Sequence, residues 1–512
     1  AQPTLNLELW GVNDTEHHVT ADLNGAQVAN LLFANQAVES AAAPVNNLQN
    51  GANSLKLTVL NDRGAEFDMS ALEAYSLTYP RAFVARDGRL TFTSAADAFT
   101  VSGLSGSNVL VYRDDRLGGP ERLNLVNTQK VGDGYSATFA GRGLGTYYVS
   151  AVEDLLKPAI SLAPAGADIT SGSPDLLIIS HPNFIKGLAP LVQARQAQGY
   201  QVKVVDVNTV YHAFSGGIFD AEALRLYINH AVEKMGVEYV LLVGADTINY
   251  RGYGGSLSMS FIPSLYAQTG KYVHVAPVDP LYTDVDGDNV PDAAIGRFPV
   301  RTTAELATLV QKTLTYDKKT YNNSAVFAAD QAFSQQSDEF ISALGSAWSV
   351  DEAYLDTSGL KTARKSLIDS LNEGVALTSF MGHSGRTNWT FDPLFTSNDA
   401  AALTNYGRPT VVSQWGCWNT YYVDPEFNTL GHKFLLTGSN GAAVVAGSTT
   451  LTDAYSEYKL GLRMMPLLSK PGMTTGEAML AAKKNLAETE PALLDVLLRW
   501  PILGDPTTVV RP

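Results

Sequence analysis

The chain has 512 residues, 45% hydrophobic and only 17% charged, a balance that fills several buried cores and excludes a mainly disordered protein. Asp and Glu outnumber Lys and Arg by 51 to 36, for a net charge of -15, so the average field repels phosphate backbones and excludes nucleic acid as a principal partner. A single cysteine excludes an internal disulfide framework and a thiolate-rich metal site.

The chain opens on AQPTLNLELW with no initiator Met, the pattern left by signal-peptide removal, which predicts a secreted, periplasmic or cell-surface protein. No run approaches the roughly 18 to 20 apolar residues that span a bilayer, so no transmembrane segment is expected. From residue 1 to 155, short alternating runs (LNLEL, SLKLTVL, RLTFTS, NVLVY, TYYVSAV) are separated by Gly, Asn and Asp turns and predict an all-β, jelly-roll-like sandwich. Residues 156–173, rich in Pro, Gly, Ala and Ser, read as a linker. From 174 to 320 the buried strands DLLIISH, YQVKVVDV and EYVLLVGAD alternate with amphipathic helices around GLAPLVQARQAQG and AEALRLYINHAVEKMG, then AAIGRFPV leads into the helix TAELATLVQKTLTYDKKTY. That alternation predicts a mostly parallel sheet with helices on both faces. A second α/β unit over 321–512 contains SAVFAAD, a helix near SDEFISALGSAW, the strands GVALTSFMGH, RPTVVSQWGC and GAAVVAGS, helices near NTLGHKFLLTG and GEAMLAAKKNLAE, and a closing WPILGDPTTVVRP.

Two strands of this second unit end on reactive side chains, His383 after VALTSFMG and Cys417 after PTVVSQWG. In a parallel sheet the carboxyl ends of the strands share one edge, so a thiol and an imidazole on neighbouring ends come together despite their separation in sequence. There the thiolate is the nucleophile and the imidazole carries the proton. Backbone amides at Cys417 and at Ser384, just after His383, supply a candidate oxyanion hole. The alternative is a purely structural pair, since a free Cys is commonly a small buried hydrophobe. His17, His18, His230 and His432 lack metal-ligand spacing and are read as structural.

The run from 174 to 512 resembles the gingipain family of cysteine peptidases, through EYVLLVGAD, AAIGRFPV, FMGHSGRTNW, PTVVSQWGCWN, GAAVVAGSTT and LGDPTTVV in the family's order. The resemblance implies a caspase-like fold in two α/β parts and endopeptidase action on protein or peptide substrates, with His383 and Cys417 as the catalytic pair. It also implies Asp330, ending VFAAD, as the acid that orients the imidazole, and Asp338 as an acid that binds a basic substrate side chain. Three departures stand out: Ser384 occupies a position where the family has Gly, Trp415 replaces a smaller residue before the nucleophile, and Ala454 and Tyr455 stand where basic-specific members carry an aromatic lid. Trp415 is therefore expected to shape the specificity pocket, and Trp389 and Trp418, which flank the two motifs, to line substrate subsites, with aromatic core packing as the alternative. The β-rich front half is similar to that of surface-processing members of the group, some of which are sortase-like and join a cut protein to an amine-bearing acceptor. Transpeptidation and a non-catalytic binding scaffold are thus the alternatives to hydrolysis.

The stretch DVDGDNVPD turns Asp284, Asp286, Asp288 and Asp292 towards one hard cation, and calcium in a structural role is expected there. The alternative is a solvated acidic turn.

Overall fold

Strict alternation in Thr4–Gly11 and Glu16–Leu23 sends every second side chain inward, and Leu5, Leu7, Leu9, Val19, Ala21 and Leu23 are buried together. In the computed structural model, which describes residues 2–115, 119–158, 167–253, 255–268 and 275–510, the chain divides into two compact units, Ala1–Ser161 and Leu162–Pro512. Residues 159–166 of the expected linker lie outside the described residues.

The first unit contains two separate β cores. One is built from the three-stranded sheets Val38–Pro44, Thr4–Gly11, Ser70–Thr78 and Ala26–Ala34, Glu16–Leu23, Leu55–Val59. The other lies among strands between Arg89 and Ala151 and is centred on Phe99, Val101, Val111, Phe139, Tyr147 and Val149. The alternating pattern does not reveal this division, because each module repeats the same period.

The second unit is organised on one ten-stranded sheet that runs across residue 320. Its strands are β1 (Leu176–Ser180), β2 (Val202–Asp206), β3 (Tyr239–Val243), β4 (Ala294–Phe298), β5 (Ser324–Ala329), β6 (Ser349–Tyr354), β7 (Leu377–Met381), β8 (Thr410–Trp415), β9 (Ala442–Ala446) and β10 (Ile502–Leu503). Their order is β2-β1-β3-β4-β10-β9-β8-β7-β5-β6. Every pairing is parallel except β9 with β10, so β5 to β9 run opposite to β1 to β4. The short β10, drawn from the chain's end, joins the two halves.

Helices cover both faces, which is why the strands read as continuous apolar runs. On one face, Leu306 and Leu309 of helix Thr303–Lys318 pack with Phe434 and Leu435 of helix Leu430–Leu436. On the other, Phe340 of helix Ser334–Leu344 packs with Leu460 and Met464 of helix Ala454–Leu468. The capping box of Thr302 and Glu305 fixes the start of Thr303–Lys318, a signal present in the sequence.

Candidate active site

Strands β5, β7 and β8 finish level with one another: Ala329 pairs with Met381, and Met381 with Trp415. The ladder continues one residue further, with the Asp330 amide donating to the Met381 carbonyl and the Gly382 amide to the Trp415 carbonyl, both at 3.0 Å. Asp330, His383 and Cys417 therefore emerge side by side. Glycine is required at both steps. A Cβ on Gly382 (φ 143°) would lie 2.2 Å from the Asp330 Cβ, and one on Gly416 would lie 2.4 Å from Ser384 Oγ. The close approach these glycines permit is to neighbouring strand ends.

Asp330 is almost fully buried, and its Oδ2 accepts from both the amide of His383 (3.2 Å) and His383 Nδ1 (3.0 Å). An ionised carboxylate only accepts, so Nδ1 carries the proton and the neutral ring presents its lone pair at Nε2. The ring is 53% exposed and is flanked by Phe333 at 5.3 Å and by the exposed Phe391 at 5.0 Å.

The Cys417 thiol is partly buried and contacts Thr452: its sulfur lies 3.4 Å from the Thr452 amide, 3.7 Å from Oγ1 and 3.8 Å from the carbonyl. Thr452 Oγ1 in turn donates to buried Glu457. Burial first, and the Glu457 charge second, push the thiol above its ordinary range, while the Thr452 amide works in the other direction. Among the described residues, the hydrogen-bond partner of the sulfur is Thr452 and not His383.

Among the described residues, neither the Cys417 amide nor the Ser384 amide donates to a protein acceptor. Two free N–H groups on adjacent strand ends can receive a developing oxyanion.

The other residues singled out in the sequence fall in three places. Trp415 is fully buried between Phe340 and Trp500, and Trp389 stacks on Phe380 at 4.6 Å with its Nε1 donating to Gln414. Both belong to the core, one on each face of the sheet, and the expectation that they shape substrate subsites is corrected. Alternation along β8 explains this for Trp415, which shares the face of Val411 beneath a helix layer. Asp338 sits on helix Ser334–Leu344, where its carboxylate accepts from the Tyr354 hydroxyl at 2.9 Å. Trp418 remains at the site, directly after Cys417, with Arg386 4.9 Å over its ring.

Asp284, Asp286 and Asp292 bring carboxylate oxygens within 4.8 Å of one another, and Asp288 stands outside this group. Asp288 instead accepts the Val290 amide at 2.8 Å, closing a local turn. Among the described residues, Lys484 forms the ion pair with the group, 3.4 Å from Asp292, and Arg225 acts on Asp284 from further away.

Sequence reading missed Phe333, Phe391, Thr452 and Glu457. Thr452 and Glu457 follow GAAVVAGSTT, where the end of β9 already pointed to this rim, but no spacing rule links them to Cys417.

Residues 169–511 match the model of peptidase family C25. Lys-gingipain W83 of Porphyromonas gingivalis is 28% identical over 291 residues, covering 54% of this chain and 15% of the relative. The matched part of the chain thus spans about 15% of the length of the curated relatives it matches. Among solved structures, the arginine-specific gingipain R superposes with a TM-score of 0.55 at 18% identity, over 68% of this chain and 80% of that one. Dimeric latent PorU from Porphyromonas gingivalis does so with a TM-score of 0.58 at 17% identity, over 100% of this chain and 48% of that one. With the family model covering well over half of its length, the chain belongs to peptidase family C25, the cysteine peptidases that include the gingipains.

Proposed function

We propose that this chain is a cysteine endopeptidase acting on proteins or peptides outside the cytoplasm, the last point resting on likeness to gingipains alone. The observation that carries the chemistry is the row Asp330, His383, Cys417 on three level strand ends, with two free amides beside the thiol. His383 Nε2 takes the proton of Cys417, and Sγ attacks the scissile carbonyl. The Cys417 and Ser384 amides hold the oxyanion. The same Nε2–H then protonates the leaving amine, and a thioester remains on Cys417. Water, deprotonated by His383, releases the acid product and restores the thiol. Asp330 keeps the proton on Nδ1 throughout and balances the imidazolium.

Because burial and Glu457 hold the resting thiol neutral, this reading gives His383 the whole task of activating it. Incubation with a panel of peptidyl acyloxymethyl ketones of varied P1 residue, followed by intact-mass measurement, tests it. One adduct per chain is expected, absent in Cys417→Ala and strongly reduced in His383→Ala. Failure of the folded protein to react with any member would refute it.

We also propose calcium as a structural ion held by Asp284, Asp286 and Asp292. Three converging carboxylates, with Lys484 paired to one of them, suit a hard, oxygen-seeking cation.

A further inference from the structure

We propose that Ser384 and Asn419 are positioning residues, forming a two-way clasp that locks the nucleophile's peptide against flipping; this deepens the reading of Cys417 as nucleophile and rests on it. Ser384, on the His383 loop, donates its hydroxyl to the Cys417 carbonyl at 2.8 Å. Asn419, on the Cys417 loop and fully buried, donates its amide to the Gly385 carbonyl at 2.7 Å. The two bonds cross the gap between the loops in opposite directions.

The Ser384 bond acts on one peptide unit, while the Asn419 bond ties the two loops together beside it. The carbonyl between Cys417 and Trp418 is held by Ser384, and the N–H of the same unit donates to the Thr450 carbonyl at 3.0 Å. With both polar ends fixed, the unit cannot rotate, although its orientation forces Trp418 to φ 61°, which a bulky side chain resists. Released, the unit would flip and relieve that strain. The flip moves only the atoms between the two Cα positions and leaves the thiol in place, but the cross-loop bond lost with it no longer holds the Cys417 amide level with the Ser384 amide. Gly416 makes the clasp possible, since Ser384 Oγ lies within 2.4 Å of where a Cβ at 416 would stand. The serine that replaces the glycine expected after His383 thus has a task of its own.

The test separates thiol reactivity from oxyanion binding in the full chain. Alkylation by iodoacetamide needs the thiol and His383 but no oxyanion hole, whereas a peptidyl aldehyde binds as a hemithioacetal whose oxygen needs both amides. In Ser384→Ala and Ser384→Gly, inhibition by the strongest aldehyde of a panel of varied P1 is expected to weaken about 10- to 100-fold. The iodoacetamide rate should stay within about threefold, a threshold well below that loss. Unchanged aldehyde inhibition in both variants, or equal loss by both reagents, overturns the clasp, as does loss of folding in both variants, which would make Ser384 simply structural. If iodoacetamide reacts equally with wild type and His383→Ala, the reading of Cys417 itself fails, and the clasp with it.

Discussion

Replacing Asp330 by Asn changes one atom and leaves the loop's shape intact, so its effect can be worked out from the hydrogen bonds. Three N–H donors converge on this carboxylate: the His383 amide and Nδ1 on Oδ2, and the Gln331 amide on Oδ1 at 2.7 Å. An asparagine offers one acceptor and one donor. If its oxygen faces His383, its NH2 meets the Gln331 N–H; if it turns over, its NH2 meets the His383 amide and drives the ring proton from Nδ1 to Nε2. The first arrangement leaves a buried donor unpaired and the second removes the base. A lost charge-assisted bond costs about 1.5–3 kcal/mol and an orphaned buried donor about 1–3 kcal/mol. The half-exposed ring discounts the sum, leaving about 3 kcal/mol, or roughly a hundredfold in kcat. The assay is hydrolysis of the P1 peptide selected by the ketone panel, with thermal melting to confirm folding. A folded Asp330→Asn protein whose kcat stays within about threefold of wild type, far short of the hundredfold expected, would refute the assignment of Asp330 as the acid that holds the imidazole.

Three further outcomes are expected. Ala332, at φ 70°, sits in the left-handed region with its amide bound to Asp356; relief of about 1 kcal/mol of strain, less the greater freedom of unfolded glycine, should make Ala332→Gly about 0.5 kcal/mol more stable in urea, and Ala332→Val less stable than wild type. Millimolar calcium should raise the melting temperature of wild type but not of Asp284→Ala, by an amount equivalent to about 2.7 kcal/mol at a hundred times Kd; identical shifts in both would remove the ion from this site. Lys483, buried with its Nζ on the Trp500 carbonyl, is pushed down to about 7 by burial. Between that value and the unfolded value of about 10.4, the unfolded chain holds a proton that the folded chain has lost, so stability rises with pH across this window by up to about 1.4 kcal/mol per unit. Lys312, likewise buried and pushed down to about 7, contributes in the same window, so Lys483→Met should reduce the rise between pH 7.5 and 9 in urea midpoints by about half.

The meeting of Asp330, His383 and Cys417 at one sheet edge was legible in the sequence because both of its ingredients are local. Apolar runs end in Gly-His and Gly-Cys, and parallel topology then brings strand ends together without any knowledge of the tertiary structure. The two tryptophans were misread because proximity in sequence to a catalytic residue says nothing of which face a side chain takes. Counting alternation back along β8 from Cys417 would have placed Trp415 with Val411, under a helix. Helix Leu355–Glu373 and edge strand β6 were missed. Gly359, at φ 70°, interrupts the helix, and SVDEAY carries charges where an edge strand meets solvent. Helix Ala454–Leu468, also missed, begins from an Asp453 cap that reads as an ordinary loop acid and holds Pro466. Thr452 and Glu457 could not be tied to Cys417 from sequence, because the Thr452 contact with the sulfur and the Glu457 bond to Thr452 depend on the path of the chain after β9.

The placement of backbone strain supports a functional reading independently of any motif. Among the described residues, ten non-glycines have positive φ, and seven of them are Asn or Asp, which tolerate the left-handed region. The remaining three, Ala332, Thr390 and Trp418, all lie on the rim that carries the triad. Ala332 follows Asp330 by two residues, the Thr390 amide donates to the His383 carbonyl at 2.8 Å, and Trp418 follows Cys417 directly. Each such residue costs about 1–3 kcal/mol and persists only where its surroundings over-determine it. The bonds that do so are specific: Asp356 on the Ala332 amide, Asn388 on the Thr390 carbonyl, and Ser384 with Thr450 on the peptide before Trp418. A fold that needed only stability could place glycine at all three positions. Holding an alanine, a threonine and a tryptophan there instead costs stability at three places, each next to Asp330, His383 or Cys417 in sequence or through a hydrogen bond.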